Sequence, residues 1–280
     1  MKKRDNALVR LVSRPAAALG LAVLLVVIAA ALLAPVLFPD DPLDMAAAPL
    51  VPPWTEPGLP LGSDQLGRNL AAGLFHGARI SLLIGIGSAL AASLLGTFIG
   101  GVAGYFGGLT DNVLMRFTEV FQTIPGFILA IVLVVLIGPA IGTIVFAIAV
   151  VSWPSIARLT RAEFMALRSR DFVQSCIVVG MSDTRIILTQ MLPNCIAPIV
   201  VLGSITVATA ILTEAGLSFL GLGDPNLVSW GSMIGLGREV LRTNSFPIVV
   251  PGLAIMATVL AINLLGEGLN DALNPRLGKR

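Results

Sequence analysis

Five stretches of this chain contain no Asp, Glu, Lys or Arg: residues 15–39, 80–110, 120–157, 186–213 and 243–266, the shortest 24 residues long and the longest 38. A helix crosses a ~30 Å hydrocarbon core with about 20 apolar residues at ~1.5 Å each. Four of the runs therefore suit one span each. The longest would make a helix of about 57 Å. It carries Gly138-Pro139 at its middle, a pair that ends a helix and turns the chain, so it divides into two. The expected architecture is an all-α polytopic membrane protein with six transmembrane helices at roughly 16–38, 80–105, 119–137, 140–157, 197–220 and 247–266. Leu, Ile, Val and Ala cover all faces of these segments, without the alternation of a barrel strand.

Composition agrees. Hydrophobic types make up 56% of the 280 residues and charged types 12%, roughly half the charged share of a soluble domain. Such a chain is neither disordered, nor a basic nucleic-acid-binding domain, nor a disulfide-rich secreted module. The few cations are unevenly placed. The N-terminal tail (1–15), the even-numbered loops and the C-terminal tail (267–280) hold 14 basic residues, against 4 on the other side (Arg68, Arg79, Arg238, Arg242). The positive-inside rule puts both termini in the cytoplasm. Residues 39–79 and 221–246 then form extracytoplasmic loops, and residues 158–196 form a long cytoplasmic loop within the 80–266 core. A first apolar segment longer than 20 residues is an uncleaved span, not a signal peptide. Cys176 and Cys195 both fall in the cytoplasmic loop, where no structural disulfide is expected. Trp54, Trp153 and Trp230 fall near expected interfaces, as belt residues do. Gly96 and Gly100 form a small-xxx-small pair suited to close helix packing.

The chemistry of catalysis is missing. His76 is the only histidine, and there is neither a metal-ligand spacing nor a phosphate-binding loop. No catalytic residue, metal site or cofactor site is expected. The spans contain almost no ionisable groups, unlike those of an ion-coupled secondary transporter, the reading from a different class. Glu119 and Glu214 lie near span ends. Glu214, with Ser218, is a candidate for the pathway or an outer gate, and equally for a helix cap. SWGSMIGLGREVL, within 221–246, reads as a short outer helix.

The cytoplasmic loop is the most informative segment. In DFVQSCIVVGMSDTRIILTQMLPN (171–194), Asp171 is positioned to cap a helix, with Gln174 in the reciprocal position. Phe172, Val173, Cys176 and Ile177 share one face. Gly180 ends the helix in a left-handed conformation. Ser182 caps the next, Asp183 sits in its first turn, and Pro193 and Pro198 stop it before the fifth span. This gives a short amphipathic helix, a bend and a second helix, with an apolar face that the chain itself has little means to cover. An exposed apolar face of this kind marks an interaction site.

These residues resemble the cytoplasmic signature of permease subunits in ATP-binding-cassette importers. Gly180 and Leu192-Pro193 match its spacing, while Gln174, Ser175 and Cys176 stand where Glu-Ala-Ala is usual. LGSDQLGRNLAAGLFHGARISLLIG (61–85), SWPSIARLTRAEFMALRSRDFV (152–173), EAGLSFLGLGDPNLVSWGSMI (214–234) and NLLGEGLNDALNPRLGKR (263–280) are similar to the C-type subunit of the dipeptide/oligopeptide/nickel permease branch. The resemblance implies a type I importer fold in a bacterial inner membrane. It implies a homologous second permease, two ATPase subunits or a fused pair, and an extracytoplasmic substrate-binding protein. It implies no cofactor in this chain, ATP and magnesium being held by the ATPases. It assigns Asp171, Phe172, Val173, Gln174, Cys176, Ile177, Gly180, Ser182, Asp183 and Pro193 to coupling with those ATPases. Peptides are the implied solute class, with nickel, haem and glutathione carried by similar permeases.

Overall fold

The computed structural model describes residues 14–273, and the regular elements among them are all helices. They are α1 (Pro15–Leu37), α2 (Leu70–Phe106), α3 (Gly108–Thr123), α4 (Gly126–Ile137), α5 (Ile141–Arg168), α6 (Asp171–Val178), α7 (Asp183–Ile186), α8 (Leu192–Phe219), α9 (Trp230–Gly237) and α10 (Phe246–Leu273). Helices α7 and α8 are joined by a π-helical turn, Ile187–Met191, into one rod from Asp183 to Phe219. Of the expected tails (1–15 and 267–280), residues 1–13 and 274–280 lie outside the described residues.

Among the described residues, five helices are long and apolar enough to cross a membrane, and a sixth crossing needs α3 and α4 together. The sequence led us to expect one continuous third span at 119–137. Instead the chain bends by 83° between α3 and α4. Pro125 is the cause: it lacks an N–H and holds Ile124 in an extended conformation, φ −93° and ψ 129°. At ~1.5 Å per residue α4 spans only about 18 Å, so it cannot cross a bilayer alone. The turn at Gly138-Pro139 is found where expected, with α5 starting at Ile141.

Helix α2 begins ten residues before the sequence-based boundary of 80. Asn69 caps it, its Oδ1 accepting from the N–H groups of Ala71 (3.0 Å) and Ala72 (3.3 Å). The 37 residues of α2 make a rod of about 55 Å that projects beyond the hydrocarbon core. Helix α10 likewise continues past the expected span end at 266 to Leu273. Arg14 pairs with Asp271 there, tying the start of α1 to the end of α10.

The centre of the bundle is the α2–α5 seam. Gly96, Gly100 and Gly104 face the α5 backbone so closely that an added Cβ would stand 2.7, 2.1 and 2.6 Å from the carbonyl oxygens of Trp153, Ala157 and Arg161. A stripe of small residues lets the two helices meet backbone to backbone, the gain being van der Waals contact in a solvent that offers no hydrophobic drive. Gly100→Leu is expected to separate the helices at a cost of about 3 kcal/mol or more. Folded protein recovered in detergent should fall sharply, and recovery equal to wild type would contradict the packing account.

Two of the three tryptophans depart from the expected interfacial belt. Only Trp54 is exposed; Trp153 and Trp230 are each 2% accessible. Trp153 packs on Phe117 and Phe121, at centroid distances of 6.0 and 5.3 Å. Trp230 donates Nε1–H to the Leu74 carbonyl at 2.9 Å. Each indole has found partners inside the bundle, which removes the need for a headgroup layer.

Candidate functional site

The loop between α5 and α8 is built much as its sequence suggests. Helix α6 runs for two turns from Asp171. Its end is a Schellman motif: Met181 N–H donates to the Cys176 carbonyl and Gly180 N–H to the Ile177 carbonyl, both at 3.0 Å. Gly180 sits at φ +80°, a conformation that costs an L side chain strain. Ser182 occupies the N-cap position of α7 with extended backbone, and Asp183 begins the helix.

Three details differ from the sequence-based account. Arg170, not Asp171, is the N-cap residue of α6, and neither cap there nor Ser182 makes a side-chain capping bond. Gln174 instead reaches back, its Nε2 donating to the Arg168 carbonyl at 2.8 Å. Pro193 and Pro198 do not end the second helix. The wide turn at Ile187–Met191 precedes Pro193 and makes room for its ring against the preceding carbonyls, so the rod continues into the membrane.

The apolar face is also divided differently. Val173 is fully buried, and Cys176 packs with it against Tyr105, Phe164, Ile186, Met191 and Cys195. This satellite core fixes α6 to α2, α5 and the α7–α8 rod. What the chain leaves uncovered is the tip. Val178 and Val179 are 85% and 84% exposed, with Phe172 and Ile177 at 41% and 42%. Asp171 and Gln174 are exposed beside them. The loop is therefore an apolar knob on a rigid base.

At the opposite end, the segment after α8 turns back as the short helix α9, where the sequence placed one. Ser229 and Ser232 close it with a reciprocal capping box. Glu214, 1% accessible, lies beneath it. Its Oε1 accepts from Ser218 Oγ (2.7 Å) and Ser229 Oγ (2.6 Å), and its Oε2 from Ser81 Oγ (3.4 Å). Trp230 N–H donates to Ser81 Oγ at 3.3 Å. Glu214 and Ser218 are thus brought together, but inside the protein, joining α2, α8 and α9. Glu214→Leu would leave these serines without their acceptor, at about 1–3 kcal/mol. Thermal denaturation of the purified protein should show a lower midpoint for Glu214→Leu, and a midpoint near wild type for Glu214→Gln, whose amide oxygen still accepts.

Above this latch lies a cleft of about 370 Å³ between residues 42–73 and 218–247, lined by Asp64, Arg68, Asp224, Arg238 and Glu239 among others. A smaller cleft of about 290 Å³ opens near the Arg-rich end, between α3 and α5. There Asp111 pairs with Arg161 through both carboxylate oxygens. Sequence reasoning missed Tyr105, Asp111 and Arg161, since pairs 50 or more positions apart leave no local pattern. His76 Nε2 hydrogen-bonds with the Phe38 carbonyl at 3.0 Å, and no cluster of potential metal ligands occurs among the described residues.

The comparisons with known proteins agree with this arrangement. Residues 96–279 match the family described as binding-protein-dependent transport system inner membrane component. The chain is 39% identical over 264 residues to the di/tripeptide transport system permease protein DppC of Pseudomonas aeruginosa, covering 92% of this chain and 87% of that one. It is 39% identical over 267 residues to the dipeptide transport system permease protein DppC of Haemophilus influenzae, covering 93% and 90%. It is 40% identical over 218 residues to the glutathione transport system permease protein GsiD of Pectobacterium atrosepticum, covering 78% and 72%. With a bundle of apolar helices, an exposed apolar knob and these relatives, the chain belongs to the family of binding-protein-dependent transport system inner membrane components, as a multi-pass permease subunit.

Proposed function

We propose that this chain is one half of the translocation pathway of an ATP-driven importer for short peptides. The observation that carries the reading is the knob: residues 171–180 present an uncovered apolar tip on a base packed against helices that continue into the membrane. The tip fits a cleft on a cytoplasmic ATPase subunit. A homologous permease completes the pathway, and a substrate-binding protein delivers solute to the opposite face. ATP and magnesium are bound by the ATPases, and this chain is non-catalytic. In this orientation both termini and the Arg-rich loop face the cytoplasm, in keeping with the positive-inside rule.

Closure of the ATPases on ATP displaces the knob as a rigid body. The helices then rock between inward-facing and outward-facing states, each stabilised by its own contacts. The latch at Glu214 and Ser218 holds α9 over the bundle and acts as an outer gate, while the 370 Å³ cleft receives part of the binding protein. The names of the dipeptide and di/tripeptide relatives support peptides as the solute. A glutathione importer is the second reading, favoured by the 40% identity to such a permease; glutathione is itself a tripeptide. Purified complex should hydrolyse ATP faster when its binding protein is added with a dipeptide. Stimulation by glutathione alone would select the second reading, and no stimulation by either would reject both.

A further inference from the structure

The foot of the knob is held by a cluster that no local sequence pattern announces. Tyr105, the chain's only tyrosine, lies buried in the last turn of α2. Its hydroxyl donates to Asp183 Oδ1 at 2.6 Å, at the start of the α7–α8 rod. Arg168, in the last turn of α5, stands over the Tyr105 ring with Cζ 5.6 Å from the centroid, and its Nη1 donates to the Phe106 carbonyl at 3.4 Å. The Arg168 carbonyl in turn accepts from Gln174 of α6. Four side chains and two carbonyls thus tie α2, α5, α6 and α7 together at one point.

The apolar contacts around Val173 and Ile186 pack these elements into one base. A phenol donating to a carboxylate adds a directional tie to that base: such bonds are short and about twice as strong as neutral ones. At its other end α2 reaches the outer cleft. Leu70 and Gly73 line that cleft, and Gly77 packs so tightly on Trp230 that an added Cβ would lie 2.9 Å from the indole. One uninterrupted helix therefore connects the foot of the knob to the helix that closes the outer side.

We infer that Tyr105 is a positioning residue for energy coupling, which transfers displacement of the loop through Asp183 and Arg168 to α2 and so to the outer gate. This rests on the reading that the knob docks on an ATPase. Without the hydroxyl, the loop still docks and hydrolysis proceeds, but the motion is absorbed at the foot instead of moving α2.

The test uses the complete transporter in proteoliposomes, with ATP hydrolysis and uptake of a radiolabelled dipeptide measured on the same vesicles. Tyr105→Phe should leave assembly and stimulated hydrolysis near wild type and lower peptide transported per ATP by about tenfold, the scale of a hydrogen bond to a charged group. A structural role alone would lower the amount of complex and leave the ratio unchanged. Adding Asp183→Asn to Tyr105→Phe should cause no further loss, since the shared bond is already gone. Asp183→Asn alone gives a second test should Tyr105→Phe fail to assemble, because it weakens the same bond while leaving the Tyr105 hydroxyl in place. An unchanged ratio in either assembled variant would overturn the proposal. Crosslinking of Val179→Cys to the ATPase separates the two levels. An adduct formed equally with and without Tyr105→Phe, together with an unchanged ratio, overturns the clasp and leaves docking standing; no adduct in either background overturns both.

Discussion

Replacing Val178 and Val179 together by Asp should abolish ATP-dependent uptake while leaving the chain folded in the membrane. Both side chains are more than four-fifths exposed, so the isolated subunit loses almost nothing. In the docked state they would be desolvated. Burying each valine contributes about 1.5 kcal/mol or more, and burying an unpaired carboxylate in its place costs several kcal/mol further. Two such changes should weaken ATPase binding by about 1,000-fold or more. Co-purification of the ATPase subunits with tagged permease reads this directly. Val173→Asp would be a poor control, because Val173 is fully buried and its loss disturbs the base of the loop. Leu188→Asp is a better one: Leu188 is 56% exposed and lies on the π turn, away from the tip. It should retain the ATPases.

The second large effect is at Gly180. Its φ of +80° is far from the −65° that proline imposes, and its N–H donates to the Ile177 carbonyl at 3.0 Å. Gly180→Pro removes the bond and forbids the bend, at about 3 kcal/mol or more. The α6 helix should then point away from its seat, and transport should fall to background although the spans still insert. An added Cβ at this position meets nothing within 4 Å. Gly180→Ala should therefore suffer only the left-handed backbone penalty of about 1–2 kcal/mol and keep partial activity. Uptake in membrane vesicles should follow the order wild type, Gly180→Ala, Gly180→Pro. Equal uptake by wild type and Gly180→Pro would show that the bend is not used.

The membrane architecture was legible because hydropathy over 20 residues does not depend on tertiary contacts. The helix–bend–helix of 171–186 was legible for a related reason: Gly180 and the spacing of Val173, Cys176 and Ile177 act within a few residues. Boundaries were harder. Arg79 hid the start of α2, although Asn69 carried a capping signal. The uncharged run through 120–157 hid the break at Ile124-Pro125, where the relevant fact is one missing N–H and not polarity. Pro193 misled in the other direction, since the π turn that accommodates it has no sequence mark. The pairs that organise the site, Tyr105 with Asp183, Asp111 with Arg161 and Glu214 with Ser81, join residues 50 to 133 positions apart. Only packing reveals these. The division of the α6 face into a buried half and an exposed tip was hidden likewise, because periodicity identifies an apolar face but not what covers it.

On the proposed coupling, the chain moves solute only when pushed by nucleotide-driven partners through the knob. Dipeptide flux into proteoliposomes tests it most directly, comparing the isolated subunit, the full complex without nucleotide and the full complex hydrolysing ATP, each with and without an imposed ion gradient. Accumulation is expected only in the full complex hydrolysing ATP, insensitive to the gradient and lost with the Val178 and Val179 substitutions. Gradient-driven or nucleotide-free flux through the isolated subunit would contradict it.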